Sequence, residues 1–293
     1  MGSEQAVAIE RLMRKLIVLH RIRKALLVFA GVVTVCSTLR LLAAQSDDSW
    51  MVLPDSLDLY TSPSLEAPKA RLKLHYPQIV KSTNAVRSTS SYDFLSFKHR
   101  GETYWIPEPV VLKMTDAPSS AVDLPIGMEE VSKQHPLWPD YRPSDLVSIP
   151  SQYCLNELSH KLRREAAGAC MQMLEDARKA GLDIRIASSY RSFTNQRYLY
   201  LQATEKYGLD QTGVAKPGHS QHQLGTAIDV VGSDLKMLFK GAFGETPEGK
   251  WLSENAGKYG FTIPYRKDNM KSTGYKYEPW HLRYVGKSRG TAA

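Results

Sequence analysis

At 293 residues with 42% hydrophobic content, the chain can form one large domain or two modest ones, and it is too apolar for a wholly disordered protein. The formal charge of +8 invites a nucleic-acid reading, but residues 1–45 carry seven Lys/Arg against two acids and leave the remainder near +3. A chain so balanced beyond its first segment offers no basic face for nucleic acid, and that class is set aside.

In chain order, a basic segment over residues 1–24 precedes twenty residues, Ala25–Ala44, interrupted only by Arg40. At about 1.5 Å per residue this stretch reaches roughly 30 Å, the thickness of a bilayer core. Bases before it and "QSDD" after it predict a cytoplasmic N-terminus, a single transmembrane anchor and a bulk facing outward. Arg40 lies near the outer end, where its side chain can snorkel. Two other readings stay open. One is a cleaved signal peptide, for which no clean small-x-small pattern appears near Ala44; the other is a buried soluble helix. Lipidation motifs are incomplete at both Cys36 and the N-terminus. The exported part carries Cys154 and Cys170, which would either bridge in an oxidising compartment or remain two buried thiols.

Residues 46–125 contain short alternating runs, "LDLY", "ARLKLHY" and "YDFLSF", followed by "HRGETYWIP" with Gly101 in a turn. This predicts a small β-rich domain. The strand, glycine turn and "YWI" strand resemble bacterial SH3-like wall-binding domains; a β-rich spacer is the other reading.

A second domain over residues 127–288 opens with a Pro-rich approach, "HPLWPDYRPSDLVSIP", that leads into a helical stretch. Leu158, Leu162, Ala166, Ala169, Met173 and Ala177 recur at helical spacing and predict an amphipathic helix that Gly181 stops. "LDIRIAS" alternates as a strand, and "TNQRYLYLQATEKYG" resumes helical spacing from a Thr194 cap. "TPEGKWLSENAGKYG" begins with Thr246 as N-cap and Pro247 at the first helical position, and it ends at Gly260. Segregated helices and strands predict an α+β fold with an antiparallel sheet.

Three stretches can carry chemistry. In "SQHQLGTAIDV", Asp229 lies on an apolar run that reads as a buried strand, separated from His222 by six residues. A buried carboxylate needs a positive partner, either a divalent metal or a nearby arginine. In "YEPWHLRYVG", Glu278 and His281 again precede an apolar strand, and Pro279 disfavours helix at Glu278, which separates this segment from the helical H-E-x-x-H arrangement. Two histidines and an aspartate would give zinc three protein ligands and leave a fourth position for water. Glu278 would then be a spare carboxylate placed to accept a proton. In "SSYRSFTNQ", Arg191 could pair with a carboxylate or meet a developing oxyanion; on its own it also reads as an ordinary surface arginine. No G-x-S-x-G occurs, and neither exported cysteine has a recognisable partner for nucleophilic chemistry.

These three stretches, in this order, resemble the zinc D-alanyl-D-alanine carboxypeptidases of the VanY type and the related LD-carboxypeptidases, over about residues 127–286. The resemblance implies zinc held by His222, Asp229 and His281, with Glu278 as catalytic base and Arg191 near the scissile carbonyl or the terminal carboxylate. Gln196 and Ser220 match positions that help hold substrate. Gln221 replaces the glutamate usual before the metal histidine, and His219, at a variable position, is not counted as a ligand. The implied substrates are peptidoglycan stem peptides. A peptidase fold retained for wall binding without catalysis is the alternative of another class, and an endopeptidase or LD-carboxypeptidase cut is the alternative within it.

Overall fold

The computed structural model describes residues 49–82, 84–87, 92–114, 123–127 and 130–287. The expected basic segment and membrane anchor, Cys36 included, lie outside these residues. The described residues within 50–112 and 117–293 cluster as one unit.

The β-rich region is built from eight short strands: β1 (Ser49–Val52), β2 (Leu57–Tyr60), β3 (Lys69–Leu74), β4 (Ile79–Lys81), β5 (Asn84–Arg87), β6 (Asp93–His99), β7 (Glu102–Pro107) and β8 (Val111–Lys113). Five form an antiparallel sheet in the order β3-β2-β7-β6-β5, and three form a smaller sheet in the order β4-β1-β8. The β6–β7 hairpin turns at Arg100 and Gly101, both at positive φ, a conformation that a glycine adopts without steric cost. Leu59, Leu95, Phe97, Ile106 and Val111 are buried and form its core.

Beyond residue 130 the chain is α+β, as the patterning predicts. Its elements are β9 (Leu146–Ser148), β10 (Lys161–Arg163), α1 (Arg164–Lys179), β11 (Arg185–Ser188), α2 (Phe193–Tyr207), β12 (Ala227–Val231), α3 (Pro247–Asn255), β13 (Phe261–Thr262), α4 (Met270–Thr273) and β14 (His281–Tyr284). The central sheet runs β11-β12-β14-β13, with every pair antiparallel. Ala166, Cys170, Met173 and Ala177 of α1 share one apolar core with Ile186, Ile228, Val230, Leu282 and Tyr284 of the sheet.

Two helix starts differ from expectation. Leu158 and Leu162 keep helical spacing with Ala166, yet α1 begins only at Arg164 and Leu158 is exposed. Leu162 lies instead on β10, opposite Val147 of β9, because strand pairing and the Arg163 N–H bond to the Gly225 carbonyl hold this stretch extended. In α2 the cap is Ser192, two residues before Thr194, and its hydroxyl accepts from the Asn195 N–H. The cap at Thr246, with Pro247 after it, stands where expected. Cys154 and Cys170 are free and buried, and burial pushes the Cys170 thiol up to about 12.

Candidate active site

Strand register creates the site. Asp229 on β12 pairs directly across from His281 on β14 and, on its other side, from Ser188 on β11, where a local irregularity shifts the register. β12 is buried along its whole length, so the carboxylate enters an apolar layer. His222 arrives from a 3-10 turn, Gln221–Leu224, which closes at Gly225 with φ of 72°. A Cβ at Gly225 would lie 2.8 Å from a Leu146 methyl and 3.2 Å from the Arg163 stem, so only glycine lets the turn pack here. Glu278 sits in the turn before β14, where its N–H bonds the Tyr265 carbonyl and its carbonyl accepts from the His281 N–H.

The Asp229 carboxylate bridges the two imidazoles. His222 Nε2 stands 3.1 Å from Oδ2, and His281 Nδ1 stands 2.9 Å from Oδ1. One ligand atom from each of the three residues lies within 4.8 Å of the others. Four tetrahedral ligands at about 2.0–2.1 Å from zinc stand roughly 3.3 Å apart, and the two separations to Asp229, 3.1 and 2.9 Å, are close to that spacing. The remaining ring nitrogens are fixed from outside: His222 Nδ1 bonds the Ser189 carbonyl at 2.7 Å, and His281 Nε2 bonds Gln221 Oε1 at 3.0 Å. Each carbonyl-type acceptor holds a proton on the outer nitrogen and leaves the inner lone pair directed at the metal position. Tyr265 stacks on the His281 ring, with centroids 5.1 Å apart, and adds orientation that no sequence pattern announces.

Charges at the centre oppose one another. Burial pushes the Asp229 carboxyl up, but the His222 and His281 pairings outweigh it and hold the group well below the usual carboxylate range. Burial lowers His222, which favours the neutral ring that ligates metal. Glu278 goes the other way: burial, with Asp229 adding to it and His281 opposing, raises its carboxyl to about 7. That carboxyl feels both residues electrostatically and is spent on no hydrogen bond of its own among the described residues.

Arg191 reaches the same centre. Its N–H donates to the His222 carbonyl, Nη1 donates to Gln196 Oε1 at 2.7 Å, Nη2 donates to Ser188 Oγ at 2.9 Å, and Nη2 stands 3.8 Å from Asp229 Oδ2. Gln196 is thereby a link, since its Nε2 donates to the Ala215 carbonyl at 2.7 Å. Ser220 is buried at the start of the 3-10 turn. His219 stays out of the donor set and bonds the Ser132 carbonyl through Nδ1 at 2.7 Å. Trp280 packs against the core and meets Phe239 edge to face. Tyr265 and the orienting contact of Gln221 are the contributors that residue patterning does not reveal.

Comparison with known proteins agrees with this constellation. The family model for VanY, D-alanyl-D-alanine carboxypeptidase, matches residues 159–287. YodJ of Bacillus subtilis (strain 168), a carboxypeptidase by name, is 41% identical over 161 residues, which cover 54% of this chain and 59% of that protein. The bifunctional D-Ala-D-Ala dipeptidase and D-Ala-D-Ala carboxypeptidase VanXYC of Enterococcus gallinarum is 34% identical over 54% of this chain and 83% of its own length. Among solved structures, that of the LdcB LD-carboxypeptidase is 39% identical with a TM-score of 0.52, covering 55% of this chain and 78% of the other. The chain therefore belongs to the VanY D-alanyl-D-alanine carboxypeptidase family. It spans little more than half the length of the Bacillus relative.

Proposed function

We propose that the protein is a zinc-dependent D-alanyl-D-alanine carboxypeptidase that removes the C-terminal D-amino acid from peptidoglycan stem peptides. In this reading residues 25–44 hold it at the outer face of the membrane, and the β-rich region is an SH3-like module facing the wall. The observation that carries the proposal is the unspent Glu278 carboxyl beside a buried Asp229, His222 and His281 set. A wall-binding protein without catalysis has no use for that carboxyl.

When bound, zinc supplies Lewis acidity, polarising a carbonyl and lowering the pKa of water. His222, Asp229 and His281 hold it, and the Ser189 carbonyl and Gln221 keep the rings aimed. Glu278 takes a proton from the attacking water and passes it to the leaving amine; its raised carboxyl matches a base working near neutrality, though a dication in front would draw that value down again. Arg191, clamped by Ser188 and Gln196, meets negative charge on the substrate without having to be ordered first.

The test is zinc content and turnover measured together. Glu278→Ala should keep one zinc per chain and lose D-alanine release from a pentapeptide by at least about a hundredfold, in the range that general base catalysis supplies. Full turnover in that variant, or a zinc-loaded wild type that releases no D-amino acid from any stem peptide, overturns the proposal. The likeness to LdcB favours a second reading, removal of D-alanine from a tetrapeptide, where the residue before the cut is L-configured at the linked centre. Mass spectrometry of both peptides after incubation separates the two.

A further inference from the structure

A cavity of about 240 Å³ lies beside the catalytic centre, lined in part by Glu108, Lys133, Ala215, Lys216, His219 and Tyr275. Two of its walls adjoin the centre. Through Ala215 it touches the Gln196 link to Arg191. Through Tyr275 it leans on Tyr265, with centroids 4.6 Å apart, and Tyr265 in turn stacks on His281. Glu108 and Lys133 both lie outside the stretch that the family model matches.

The charges of the cavity do not cancel. Lys216 Nζ pairs with Glu108 Oε1 at 2.6 Å and also donates to the Glu108 carbonyl, so those two neutralise each other. His219, half-buried and pushed down to about 4 by desolvation, is an uncharged ring at neutral pH. Among the described residues, that leaves the ammonium of Lys133 as the charge without an anionic partner on this wall. Lys133 is held in place: Nζ donates to the Gly274 carbonyl at 2.6 Å and stands 4.9 Å from the centroid of the Tyr275 ring. A Cβ at Gly274 would lie 3.1–3.3 Å from the end of this side chain, so the glycine leaves room for the lysine to dock. Two of the three ammonium hydrogens remain for a ligand.

Resting on the carboxypeptidase reading, we propose that this cavity is a subsite for a carboxylate within the stem peptide, upstream of the scissile bond, and that Lys133 recognises it. The position argues for upstream. From His281 the path to the cavity runs over Tyr265, stacked on it at 5.1 Å between centroids, to Tyr275 on the cavity wall, tilted against Tyr265 at 4.6 Å, and an extended chain covers about 3.3 Å per residue. A carboxylate reaching Lys133 therefore belongs two or three residues from the cut, whereas the terminal carboxylate lies within one residue of the metal, where Arg191 stands. Two groups of a stem peptide have this chemistry: the α-carboxylate of a γ-linked glutamate, and the side-chain carboxylate of a third-residue diamino acid.

The test uses the full chain and synthetic stem peptides in which each carboxylate, in turn, is replaced by its carboxamide. One amidation should raise KM and lower kcat/KM about tenfold, the scale of one charge-assisted hydrogen bond at a partly open site. The amidation that does so names the source. In Lys133→Met the preference should collapse to within about twofold, while the rate on that carboxamide peptide stays as in the wild type. Equal rates on all peptides in the wild type, or a preference that survives Lys133→Met, overturns the subsite. An equal loss on every peptide in Lys133→Met also overturns it, because that pattern points to the terminal carboxylate or to folding. Should no peptide be cut, the carboxypeptidase reading fails separately. Peptide binding to the Glu278→Ala variant, measured by calorimetry, then still reports whether the carboxylate and carboxamide forms differ at Lys133.

Discussion

At the scale of single residues, the donor set is legible in sequence because each member breaks a rule. Asp229 is a carboxylate on an apolar strand, and His281 opens another such strand after a proline that excludes helix. Such violations are costly without a partner, so they announce a site. Tyr265 breaks no rule; it follows a two-residue strand in an ordinary loop, and only tertiary packing stacks it on His281. Gln221 is visible in sequence only as a departure from the family pattern, whereas the structure gives it a task, the 3.0 Å contact with His281 Nε2. Gln221→Leu should weaken zinc binding about 10- to 100-fold, read by competition with a chromogenic chelator. Gln221→Glu, which keeps an acceptor at that position, should retain most of the affinity; an unchanged affinity in the leucine variant would mean that the amide does not hold the ring.

Elements were legible where local signals and tertiary demands agree. Thr246 and Pro247 start α3 because the threonine hydroxyl accepts from the Gly249 N–H and the proline ring suits the first turn. They disagree before α1. Helical periodicity runs back through Leu162 to Leu158, but β9 recruits residues 161–163, and Arg163 is fixed by Asp145 through Nε at 2.9 Å and by the Leu124 carbonyl through Nη1 at 2.6 Å. Long-range pairing there outweighs a helical preference of a few tenths of a kcal/mol per residue. The face of α1 that does match its spacing has a testable weight. Met173 is fully buried between the helix and the sheet, so Met173→Ala should cost about 2–5 kcal/mol, seen as a lower urea midpoint. A midpoint within error of wild type would mean that α1 does not anchor the core.

At the scale of the whole described chain, sequence periodicity marks a β-rich stretch and a catalytic stretch but says nothing of their contacts. Arg197 on α2 is buried, donates to the Leu53 carbonyl, pairs with Asp55 and lies 4.0 Å from the centroid of the Tyr76 ring. Tyr200 of the same helix donates to the Pro109 carbonyl at 3.0 Å. Asp55 is largely exposed and its bridge is weak in water, so the carbonyl and the ring supply most of the attachment. Arg197→Met should cost about 1.5–3 kcal/mol of stability by chemical denaturation, leaving the Leu53 carbonyl unpaired; no change in stability would show the contact to be incidental. The cross-strand register of Asp229 and His281 sets a different kind of limit, on how the chain tolerates changes in length. One residue inserted within β12 or β14 would turn a ligand to the opposite face of the sheet and put an apolar neighbour in its place, whereas the exposed residues 233–236 after β12 can absorb additions outward. The chain is thus free to vary its spacing between the strands, and its candidate metal-ligand set can be erased by a single inserted codon without loss of any of its residues.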